Sequence, residues 1–131
     1  MSTQTPGQIG WLDLTVPDAD NVSEFYQNVV GWTPAPVSMG DYNDYTMSPA
    51  GGDGTPVAGV CHARGSNAAL PAVWLPYFIV TDIDASVSAC KERGGQIVKD
   101  PPATDGGGGR FCVIRDPAGA FAALFQPPAV K

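Results

Sequence analysis

Two stretches of this chain read as the same phrase. Val16-Pro17-Asp18-Ala19-Asp20 matches Val80-Thr81-Asp82-Ile83-Asp84, and Gly31 matches Gly95 at the same spacing of 64, close to half of the 131 residues. A repeat of this size means that each copy is one supersecondary unit, too small to bury much apolar surface alone. The flanks repeat as well. Before each Val-x-Asp lies a strand-like run, Ile9 to Val16 and Trp74 to Val80. After each comes a helical pattern. Val22, Phe25, Tyr26, Val29 and Val30 fall at helical spacing and read as one apolar stripe, with Asp18, Asp20 or Asn21 as cap and Gly31 as a left-handed stop. Ile83, Val87 and Cys90 repeat the pattern, with Asp82 or Asp84 as cap and Gly94 or Gly95 as stop.

Further strand candidates follow each helix. They are Thr33 to Val37, Tyr42 to Met47 and Val57 to Ala63 in the first half, and Gln96 to Lys99, Arg110 to Arg115 and Ala120 to Gln126 in the second. Each half therefore reads β-α-β-β-β. Module one covers about 8–63, a linker about 64–73, and module two about 74–127, and all of 1–131 is expected to form a single α+β domain. Most of the 16 Gly and 13 Pro find places in the turns and helix ends of these units.

Charge narrows the function classes. Seven basic against thirteen acidic side chains give a net charge of −6. Phosphate binding needs a basic footprint, so nucleic acid is excluded as a partner, and an anionic membrane surface is disfavoured likewise. No apolar run approaches a membrane span, and MSTQTPGQIG lacks the basic-then-apolar order of a signal peptide. Cys61, Cys90 and Cys112 are odd in number and widely spaced, which suits a reducing, cytoplasmic home. The run Gly106 to Gly109 precedes a strand and has no Lys-Ser/Thr pair, so it reads as a turn and not as a phosphate loop.

The paired βαβββ pattern resembles the vicinal oxygen chelate superfamily of glyoxalase I, bleomycin- and fosfomycin-resistance proteins and extradiol dioxygenases. The residues that carry the resemblance are Leu12-Asp13-Leu14-Thr15-Val16-Pro17-Asp18, Phe25-Tyr26 and Gly31-Trp32 in the first half. In the second they are Val80-Thr81-Asp82-Ile83-Asp84, Gly94-Gly95 and Arg115-Asp116-Pro117-Ala118-Gly119. The likeness covers roughly 8 to 127. It implies two modules in a cup-shaped, paired-sheet fold with helices outside, the halves pairing within a chain or across a homodimer. It also implies metal-ligand positions, and there this sequence departs. The first-strand His position holds Trp11, its second-half equivalent holds Leu75, and the last-strand Glu position holds Ala123. Indole and alkyl groups do not ligate such metals. His62 lies near a fourth ligand position. The expectation is therefore no cofactor and no metal of the usual kind.

Period-two alternation puts Leu12, Leu14 and Val16 under the first helix and turns Trp11, Asp13 and Thr15 to the other face. By the same parity Leu75, Tyr77 and Ile79, and Phe121, Ala123 and Phe125, face that side. Tyr45 and Met47 are candidates whose parity the sequence leaves open. The expected ligand contacts are Trp11, Asp13, Tyr45, His62, Tyr77 and Phe121, around a small organic ligand that is aromatic or cationic. The leading expectation is a small-molecule-binding protein of the glyoxalase/bleomycin-resistance type. The alternative is a glyoxalase-like lyase or isomerase, or a dioxygenase-like oxidoreductase, with His62 or Asp13 as base or with an atypical divalent metal near Asp13, His62 and Cys61. A third possibility is an interaction module whose cup is filled.

Overall fold

A computed structural model describes residues 4–128; Met1, Ser2 and Thr3 of the N-terminal segment lie outside the described residues. The order is β1 (Ile9–Val16), α1 (Ala19–Val30), β2 (Trp32–Ser38), β3 (Asn43–Pro49), β4 (Ala58–His62), a 3-10 turn (Gly65–Asn67), β5 (Trp74–Ile79), α2 (Ile83–Glu92), β6 (Gln96–Lys99), β7 (Arg110–Arg115) and β8 (Phe121–Gln126). This is βαβββ twice. Contacts gather into two units, one spanning Trp11–Trp74 and the other joining the residues up to Gly10 to the segment from Leu75. No helix among the described residues is long and apolar enough to cross a membrane.

In the first unit the strands lie in the order β2-β3-β4-β1, with β1 parallel to β4 and the other pairs antiparallel. Leu14, Val16, Ala19, Met47, Ala58 and Val60 form its core, with Leu12, Val22, Tyr26, Trp32, Tyr45 and Trp74 packed around them. Asp18 caps α1 by accepting from the Asn21 N–H, and Gly31 closes it at φ 87°. The buried arc of α1 differs from the apolar stripe of the sequence. Ala19, Val22, Ser23 and Tyr26 point inward, whereas Phe25, Val29 and Val30 are exposed. At about 100° per residue, Ala19 and Ser23 share one line, and their small side chains let the backbone lie close to the sheet. Phe25 and Val29 are left on the shoulder of that arc.

The second unit repeats the plan in the order β5-β8-β7-β6, with β5 parallel to β8. Asp82 caps α2 by accepting from Asp84 and Ala85, while the Gln126 side-chain oxygen takes the Ile83 N–H at 2.9 Å. Ile83, Cys112 and Leu124 are buried under α2 beside Phe78, Val80, Val87 and Ile114. The strands of each unit thus have a helix-covered face and a helix-free face.

The linker is more ordered than its polar composition implies. Asn67 N–H reaches Arg64 O and Ala68 N–H reaches Gly65 O, which closes the 3-10 turn. Trp74, the residue after the linker, opens β5 and belongs to the first unit, where its ring packs on Tyr26 and Trp32 and its indole N–H donates to the Tyr26 hydroxyl at 3.1 Å.

Candidate functional site

On the helix-free face of the first unit, Trp11 and Asp13 sit two residues apart on β1 and meet. The indole Nε1–H donates to Asp13 Oδ1 at 2.6 Å. A bond from an indole N–H to a carboxylate ranks among the stronger ones, and it fixes the ring beside Asp13. The neighbouring strand makes room. Gly59 stands opposite Asp13, and a Cβ there would run into Asp13 Oδ1 and approach Trp11 Nε1. Gly59 is therefore part of the site, because the absence of a side chain lets the pair lie over β4. Cys61 follows on the same face. Burial first, then the charges of Asp13 and Asp44, push its thiol up to about 12, so it is no thiolate nucleophile at neutral pH.

Tyr45 and His62 lie on the other face. Tyr45 pairs in register with Val60, Met47 with Ala58, and His62 with Val16, all on the helix side. Tyr45 and Met47 are thus absent from the face that holds Trp11 and Asp13, a correction to one shared pocket of Trp, Tyr, Phe and Met. Tyr45 donates to Asp20 Oδ1 on α1, and that bond, with a smaller part from burial, pushes its phenol up to about 12. His62 is buried. Its Nε2 lies 3.9 Å from Asp20 and its Nδ1 3.6 Å from Asp44, and Nδ1 has no hydrogen-bond partner. The Asp44 carboxylate instead accepts the His62 backbone N–H at 2.8 Å. Tyr42 packs edge-on against the imidazole, with Arg64 over its ring. Asp20 and Asp44 are site residues that sequence reasoning missed. The first was read as a cap, and the second shows only as one member of the Asp44, Thr46, Ser48 alternation.

Tyr77 and Phe121 belong to the second unit, on its helix-free face. Tyr77 stands opposite Ala123, and Phe121 opposite Arg115. The Tyr77 ring lies 5.7 Å from that of Phe111, Lys99 Nζ sits 4.5 Å over Phe111, and the Arg115 guanidinium 5.3 Å over Phe121. Arg110, pointing the other way, makes a two-pronged bond to Asp84 on α2 at 2.8 and 2.9 Å. Arg110 is thus held by Asp84 within its own unit.

An apolar groove of about 370 Å³ also opens in the first unit, between α1 and the residues Leu14, Val16, Ala72 and Trp74.

A model of the Glyoxalase/Bleomycin resistance protein/Dioxygenase superfamily matches residues 8–123. The chain belongs to that superfamily. Among curated relatives, the anthracycline biosynthesis protein DnrV of Streptomyces peucetius is 31% identical over 96% of this chain and 49% of its own length. The chain thus spans about half the length of the curated relatives it matches. Among solved structures, methylmalonyl-CoA epimerase from Mycobacterium tuberculosis superposes with a TM-score of 0.57 at 17% identity, over 98% of this chain and 93% of that one. The Mn(II)-bound glyoxalase from Novosphingobium aromaticivorans gives 0.57 at 21% identity, over 95% of this chain and 40% of that one. These likenesses carry the vicinal-oxygen-chelate fold.

Proposed function

We propose that this superfamily member binds a small organic ligand on its helix-free sheet faces, without a metal at the family's usual positions. The observation that carries the reading is the Trp11–Asp13 pair over Gly59. A ligand N–H or O–H can replace the indole as donor to Asp13, and the freed ring then offers a stacking surface. The residues present do not fit the family's metal: Trp11, Leu75 and Ala123 hold no donor atom for it, and no three His, Cys, Asp or Glu among the described residues are grouped as a ligand set. A relative named for anthracycline biosynthesis suits an organic ligand. A cytoplasmic home and pairing of two copies as a homodimer belong to the same proposal; relatives about twice this length have room for a second copy on one chain.

The test is tryptophan fluorescence during titration with a panel of neutral, cationic and anionic naphthalene derivatives, beside metal analysis of the purified protein. Saturable binding of any member, lost in Trp11→Leu, with metal below a tenth of an equivalent, is the expected result. Stoichiometric metal lost on His62→Ala overturns the metal-free part, and no saturable binding across the panel overturns the whole.

One observation favours a second reading. His62 is buried with an unpartnered Nδ1 between two carboxylates, the setting of a general base in a lyase or isomerase. That enzyme would lose turnover in His62→Gln while keeping ligand binding.

A further inference from the structure

Helix α1 is apolar on two sides. Ala19, Val22, Ser23 and Tyr26 face the sheet, yet Phe25, Val29 and Val30 stand 54%, 62% and 54% exposed. Phe25 and Val29 lie one turn apart and form a ridge along the helix. Beside that ridge runs the groove of about 370 Å³, bounded by Phe25 and Tyr26 of α1, Leu14 and Val16 of β1, and Trp74. No Asp, Glu, Lys or Arg lines it. The stretch 65–74 that supplies its far wall is uncharged as well. The two charges of α1, Asp20 and Glu24, share a line on the other flank of the helix, where Asp20 accepts from the Tyr45 hydroxyl of β3.

We propose that two copies of the chain meet on this face, the Phe25–Val29 ridge of each seated in the groove of the other. This rests on the homodimer of the reading above and gives that dimer its surface. Three observations point to a second copy as the occupant. The patch carries a ridge and a hollow side by side, so a two-fold axis beside Phe25 fills both hollows at once. Copies that each carry −6 repel at a distance, and the uncharged groove lets them touch without burying like charges. Relatives of which this chain spans about half have chain enough for a second such unit. The driving force is the removal from water of apolar side chains that a single copy leaves more than half exposed.

The measurement is sedimentation equilibrium of the full chain over a dilution series, at low and at high sodium chloride. The expected result is a reversible dimer that tightens with salt, because screening removes the repulsion and leaves the apolar contact. Phe25→Asp and Val29→Asp each weaken the dimer at least tenfold, and Phe25→Leu keeps most of it. Val98→Asp, at an exposed apolar position of the second unit, leaves it within twofold. Phe25 and Val29 are exposed in the single copy, so the circular dichroism of the variants matches the parent's and the loss is one of association. A dimer that survives both aspartate variants, or that salt dissociates, overturns this surface and leaves the homodimer standing. A parent that stays monomeric at every concentration overturns both. A monomer that binds 1-decanol, with the binding lost in Phe25→Asp, gives the groove to a small apolar ligand and overturns the inference as well.

Discussion

The two units are copies of one plan, and their register shows how far they have diverged. Asp13 stands opposite Gly59 in the first, and Tyr77 opposite Ala123 in the second. Both members of the pair are displaced by the same 64 residues that separate the repeated Val-x-Asp phrases. One backbone thus carries, at matched positions, a carboxylate over a glycine and a phenol over a methyl group. Asp20 and Asp84 are matched likewise. Each lies in the first turn of its helix, yet Asp20 accepts from the Tyr45 hydroxyl and lies near His62, whereas Asp84 binds Arg110. The lesson is that the βαβββ backbone fixes where side chains point and leaves their chemistry open.

Substitution at matched positions breaks this comparison most sharply. Gly59→Val forces a branched side chain into the space of Asp13 Oδ1 and should cost about 2–3 kcal/mol in urea unfolding, with a displaced Trp11 emission. A variant as stable as the parent would show that the Trp11–Asp13 pair does not need the glycine. Next in size, Trp11→Phe removes the indole donor and should cost about 1–2 kcal/mol, read from the same transition. In the second unit, Ala123→Gly deletes a fully buried methyl and loosens a strand, for about 1 kcal/mol, and leaves Trp11 emission unmoved.

Much of this was legible beforehand. Strong alternation in Ile9 to Val16 fixed the faces of Trp11 and Asp13, and Asp18, Asp82 and Gly31 marked helix ends because capping is local chemistry. The faces of Tyr45 and His62 were not legible, since alternation shows that neighbours diverge without showing which way. That needs the pairing of Tyr45 with Val60, a contact between distant residues. The buried arc of α1 was misread because the eye counts apolar residues, while close packing selected the small Ala19 and Ser23.

The smallest effects separate the units by pH. Tyr45 has its folded pKa raised from 10.0 to about 12, so the stabilisation from its neutral form is complete below pH 10 and is lost as pH rises through about 12. Absorbance of tyrosinate should show the Tyr45 phenol ionising late, moved toward 10 by Asp20→Asn. Asp84 has its carboxyl held low by the Arg110 hydrogen bond, so that contribution is present above the ordinary carboxylate range and lost as pH falls through its folded value. Arg110→Met should flatten the acid limb alone, seen in unfolding midpoints between pH 5 and 2.

The measurement that most directly tests the central claim, a ligand surface at the Trp11–Asp13 pair over Gly59, is chemical-shift mapping on the nitrogen-15-labelled chain with neutral, cationic and anionic naphthalene derivatives. The account predicts that a saturably bound member shifts the Trp11 indole N–H and the Asp13 amide. Saturable binding that leaves both signals unmoved would contradict it.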